Sequence, residues 1–134
     1  MKKLIVSLGL ALTLSFGATL DEGVKAANKG DYKTALIIFE DLASKNNSVA
    51  LYNLGVMYNN GHGVKQGYIK AKELYEKAAL QGYVNAQYNL AVLYFNGQQI
   101  KQDKSIAKKW YGKACDGGDR EACEMYNELS KEGF

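Results

Sequence analysis

An all-α fold, a short α-solenoid of antiparallel helical hairpins, is what this sequence predicts, and three observations predict it. The first is an internal echo at an offset of 36 residues: positions 50–61 read ALYNLGVMYNNG and positions 86–97 read AQYNLAVLYFNG. In the same frame Ala71, Leu74, Tyr75, Lys77, Ala78 and Gly82 correspond to Ala107, Trp110, Tyr111, Lys113, Ala114 and Gly118, and a further step reaches Ala122, Leu129 and Gly133. Self-similarity at a fixed period marks stacked supersecondary units, each too small to bury its apolar face alone. The second observation is helical spacing of apolar and small residues within each copy. The third is the absence of proline and of any long alternating apolar run, which argues against a substantial sheet.

Taken in chain order, residues 1–18 read as a signal peptide. Lys2 and Lys3 precede an apolar run from Leu4 to Phe16, shorter than the roughly 20 residues that a membrane-spanning helix needs. Small residues at Ser15 and Gly17 suit cleavage after Gly17, with Ala18 as the alternative. An uncleaved anchor or a first solenoid helix is the other reading of the same run. No cysteine follows it directly, so a lipid anchor has no attachment point. Loss of the leader with its two lysines takes the formal charge from +3 to +1. The mature chain is expected to be periplasmic or secreted, with no stable membrane span after signal removal.

The solenoid is expected over 19–134. A short hairpin over about 20–45 has Asp31 as a cap for its second helix. The first full copy, 48–82, carries Ala50, Leu54, Met57, Tyr58 and Gly61 on one face of its first helix and Ala71, Leu74, Tyr75, Ala78 and Gly82 on its second. The glycines of the intervening NNGHGVKQG end the first helix and permit a reversal, with His62 facing solvent in the turn. The second copy, 84–117, has Asp103 or Ser105 available to cap its second helix. One helix over 119–132, rich in charge, closes the array with a polar outer face. Small residues such as Ala50, Gly55, Ala71, Ala78 and Ala79 mark where helices cross closely, beside Leu54, Tyr58, Leu74 and Tyr75.

The remaining lysines are scattered among acids at helical spacing, as in KAKELYEK. That is a solvated helix face, not the clustered basic stripe of a nucleic-acid binder. Nucleic acid is not an expected partner, and no cofactor is expected. A metal site is disfavoured, because His62 is the only histidine and lies far from both cysteines.

The spacing A-x3-L-G-x2-Y-x2-G-x-G-V, followed by A-x2-L-Y-x2-A-A-x2-G, resembles the Sel-like (Sel-one) repeat, a relative of the tetratricopeptide repeat with a longer inner loop. In the first copy Ala50, Leu54, Gly55, Tyr58, Gly61, Gly63, Val64, Ala71, Tyr75, Ala78, Ala79 and Gly82 all match. The second departs at Ala91, Gln99 and Ile100, while Asp103 and Trp110 restore choices that the first copy lacks at Gly67 and Leu74. Leu20 to Lys45 is closer to a plain tetratricopeptide unit. The resemblance implies an adaptor-like surface, so the expected partner is a protein or peptide.

Cys115 and Cys123 flank the turn DGGD between two antiparallel helices. An even cysteine count behind an export signal favours a disulfide, with a pair of free buried thiols as the alternative. A pair of this spacing is similar to the Helicobacter cysteine-rich family, secreted Sel-like solenoids known as penicillin-binding or beta-lactamase proteins. Those carry such a pair in nearly every repeat, whereas here Ala79 and Gln87, and earlier Ala43 and Leu51, stand in its place. The resemblance implies a beta-lactam or peptidoglycan-related ligand and makes a beta-lactamase-like hydrolase the alternative function. Its chemistry is not visible. Ser105 to Lys108 fits S-x-x-K, but S-D-N and K-T-G are absent, and a helix-start serine followed by a solvated lysine needs no catalytic role. No histidine base, metal cluster or phosphate-binding loop accompanies them.

The function expected is therefore an exported protein- or peptide-binding scaffold. Its first helices would line a concave face presenting Tyr52, Asn53 and Val56 in one copy and Tyr88, Asn89, Val92 and Phe95 in the next. Amides set among aromatics suit a peptide. Packing of these tyrosines between neighbouring first helices is the equal alternative. On the binding reading Asn89 is a surface amide whose loss leaves the helices intact, whereas Leu90 belongs to the packed stripe.

Overall fold

The computed structural model describes residues 17–134; the apolar run that carries the expected signal peptide lies outside the described residues. Among those described, seven helices follow one another with no strand: α1 (Leu20–Asn28), α2 (Tyr32–Ser44), α3 (Ser48–Asn60), α4 (Tyr68–Leu80), α5 (Val84–Asn96), α6 (Lys104–Asp116) and α7 (Arg120–Lys131). Each helix packs on the helices adjacent to it in sequence, the nearest-neighbour pattern of a solenoid.

Local chemistry sets the helix starts. Thr19 opens α1 with a reciprocal capping box: its hydroxyl accepts from the Glu22 N–H at 3.3 Å, and the Glu22 carboxylate accepts from the Thr19 N–H at 2.8 Å. Asp31, Asn47, Asp103 and Asp119 cap α2, α3, α6 and α7, each accepting from the third backbone N–H onward. Of the two candidates for α6, Asp103 is the cap, accepting from Ile106 at 2.9 Å.

The repeat frame is visible in the backbone itself. The loops after α3 and α5 close with the same pair of bonds. Gly67 N–H donates to Tyr58 and Asp103 N–H to Tyr94, both at 2.9 Å. The Gln66 and Gln102 amides donate to the Asn59 and Phe95 carbonyls at 2.7 and 2.8 Å. The turns between hairpins place Asn46, Gly82 and Gly118 at φ values of 64°, 85° and 99°. Asparagine and glycine are the residues that tolerate this left-handed conformation. Gln99 holds φ 54° where the first copy has Gly63 at 70°, so the second loop keeps the conformation without the residue that favours it.

The expectation of a solvent-facing His62 is corrected. Its ring stacks on Tyr32 of α2, with centroids 4.5 Å apart and planes within 12°. The long loop of the first copy thus lies against the preceding hairpin, a neighbour that a reading within one repeat cannot supply.

Ala50, Ala71, Ala78, Ala86, Ala107, Ala114 and Ala122 are wholly buried, as contact points between close helices require. The core has two clusters. One runs from α1 to α5 and includes Leu90, and the other runs from α5 to α7 and includes Ala91. Helix α5 therefore belongs to both.

Candidate functional site

All seven residues expected on the first-helix face, Tyr52, Asn53, Val56, Tyr88, Asn89, Val92 and Phe95, are half-buried. Tyr52 and Val56 border the first cluster, and Tyr88, Val92 and Phe95 border the second. These side chains therefore pack with one edge and present the other to solvent, so the packing and surface alternatives each describe part of the arrangement.

At the junction between the two full copies, Tyr52 of α3 lies 5.9 Å from Tyr75 of α4 and 5.2 Å from Tyr83, centroid to centroid. The Asn89 side chain of α5 lies beside the hydroxyls of both Tyr52 and Tyr75. Burial raises the pKa of both tyrosines, and the Asn89 amide opposes the shift. Asn53, one period earlier, instead turns its amide to the Val49 carbonyl of its own helix at 2.9 Å. Asn89 thus sits half-buried at a junction between repeats, beside two phenols.

The next junction is wired differently. Tyr88 packs edge-on against Tyr111 at 5.6 Å, and its hydroxyl donates to the Glu121 carboxylate of α7 at 2.7 Å. Burial and then the Glu121 charge push the Tyr111 hydroxyl up to about 12. Tyr88 moves the same way, through burial first and then its bond to Glu121. Glu121 escaped sequence reasoning because position 85, one period earlier, holds an asparagine that gives no hint of a phenol partner.

The inter-repeat turn shows three chemistries at one place. Cys115 and Cys123 are disulfide-bonded, with Cα atoms 4.6 Å apart. One period earlier the buried Gln87 amide donates to the Ala79 carbonyl at 3.2 Å, joining α5 to α4. One further period back, the buried Leu51 belongs to the apolar core and Ala43 packs against that core. The small covalent ring should add roughly 2 to 3 kcal/mol by restricting the unfolded chain. Replacing both cysteines by serine is therefore expected to lower the melting temperature, and an unchanged melt would show that the ring contributes nothing.

Ser105 sits exposed in the first turn of α6. The Lys108 ammonium donates to the Phe134 carbonyl and lies 5.2 Å from the Tyr126 ring centre. Both residues line a groove of about 530 Å³ between α6 and α7. Among the described residues no cluster of three metal-ligating side chains occurs, and no helix is long and apolar enough to cross a membrane.

The pattern of the Sel1 repeat matches residues 48–83 and 84–119. No curated protein matches the chain. Among solved structures, a Sel1 repeat protein from Oxalobacter formigenes is similar at a TM-score of 0.81 and 30% identity, over 86% of this chain and 47% of that one. A protective antigen present in uropathogenic Escherichia coli strains, displaying an SLR fold, is similar at a TM-score of 0.70 and 30% identity, over 75% of this chain and 22% of that one. The chain therefore spans less than half the length of either relative. With two tandem matches covering more than half of its residues on a hairpin solenoid, the chain belongs to the Sel1 repeat family.

Proposed function

We propose that the protein is an exported scaffold that binds a protein or peptide segment on the face formed by its first helices. The observation that carries this reading is the row of half-exposed side chains repeated in register on α3 and α5: Tyr52 with Tyr88, Asn53 with Asn89 and Val56 with Val92. Aromatic edges supply contact area, while amides offer hydrogen bonds to a peptide backbone. A solenoid presents such positions in adjacent repeats as one extended surface. Export rests on the leader-like residues 1–18, a reading that supports the periplasm or the cell exterior as the compartment.

The test is site-specific photocrosslinking from Asn53 and Val92, with Lys77 on α4 as the control. Discrete crosslinked species from the first two positions and none from Lys77 are expected; the reverse would overturn the assignment of the face. A scaffold also leaves nitrocefin unhydrolysed. Turnover that disappears in Ser105→Ala would replace this reading with the beta-lactamase one.

A further inference from the structure

We propose that the groove between α6 and α7 is a second docking site, one that takes a peptide segment carrying an aromatic side chain beside carboxylates. It goes beyond the first-helix surface, because its basic wall is α6, the second helix of its hairpin. Charge is the first argument. The lining side chains include Lys108, Lys109 and Lys113 against a single acid, Asp116. Lys108 already donates to the Phe134 oxygen, but among the described residues neither Lys109 nor Lys113 has an ion-pair partner. Two uncompensated ammonium groups on one concavity favour an anionic occupant.

Apolar exposure is the second argument. Tyr126 and Phe134 are 38% and 44% exposed and line the same groove, so an anion alone would leave them uncovered. Gly112 lines the wall between the lysines, and a Cβ there would come within 3.1 Å of the Tyr126 ring. The missing side chain keeps that ring accessible.

The wall already holds one residue in this manner. The Phe134 ring lies 5.2 Å from the Lys104 ammonium, and its carbonyl accepts from Lys108. An aromatic ring against one lysine and an oxygen against the next is cation–π contact combined with a charge-assisted hydrogen bond. Lys109 and Lys113 form the adjacent i,i+4 row of α6, which lines the same groove, and have no oxygen partner among the described residues. A segment with an aromatic ring between two carboxylates would place its ring against Tyr126 and its acids on these two lysines.

Fluorescence anisotropy of the full chain with a labelled Gly-Ser-Asp-Phe-Glu-Ser-Gly peptide tests this. Binding is expected, weakening with added salt. It should fall about tenfold or more for the Asn-Phe-Gln and Asp-Ala-Glu counterparts. The Lys109→Glu/Lys113→Glu double variant should lose binding to the same extent with an unchanged melt, since both side chains are exposed. If that variant melts lower, Lys109→Gln/Lys113→Gln provides the same comparison. Equal binding of all three peptides, no binding, or an unchanged affinity in the variants would overturn the proposal. So would sedimentation with phosphatidylglycerol vesicles without peptide binding, which would assign the lysines to a lipid surface.

Discussion

Tyr75→Ala is expected to lower the unfolding free energy by about 3 to 5 kcal/mol, the range for removing a buried aromatic ring, whereas Tyr75→Phe should cost about 1 kcal/mol. Tyr75 is 1% exposed and among the largest fully buried side chains. Its ring fills the space left by Gly55, where a Cβ would come within 2.7 Å of it. Truncation therefore opens a cavity between α3 and α4 that the glycine cannot fill. It also removes one of the two phenols beside Asn89 and the aromatic neighbour of Tyr52. The phenylalanine variant keeps the packing and loses only the hydroxyl. Urea denaturation followed by circular dichroism separates the two terms. Similar losses in both variants would mean that the hydroxyl, not ring packing, stabilises this junction.

The fold was legible because the signal is redundant. A 36-residue offset repeats helix faces, loop glycines and turn residues together, and a chance match at one level would not carry the others. The disulfide was legible for a similar reason: two cysteines flank a turn whose length the repeat already sets. The Gln87 bond at the equivalent turn was not, since glutamine is ordinarily a surface residue and only burial shows what its amide must satisfy. Side-chain links between repeats escaped in the same way. Periodicity says which face of a helix is packed, but not that Asn89 sits beside two phenols while Asn53 bonds to its own helix. The groove beside α6 was hidden because its lysines look solvated along the helix, and its apolar floor comes from Tyr126 and Phe134 on the neighbouring segment.

Leu90→Ala and Asn89→Ala, adjacent in sequence, should fail in different ways. Leu90 is wholly buried in the cluster that spans α1 to α5, so its truncation should cost about 2 to 5 kcal/mol in transfer and cavity terms. Because α5 also carries Ala91 of the second cluster, loosening it should weaken the coupling of α6 and α7 to the rest of the array. In a solenoid that loss can divide one cooperative transition into two. Asn89→Ala leaves both clusters filled but removes the amide beside the Tyr52 and Tyr75 hydroxyls. Loss of a polar neighbour at a half-buried site costs about 1 kcal/mol or less. The expected result is a modest drop in melting temperature with a single transition for Asn89→Ala, and a larger drop with a broadened or divided transition for Leu90→Ala. A wild-type melt for Asn89→Ala would show that its amide contributes nothing to the junction and serves only the surface.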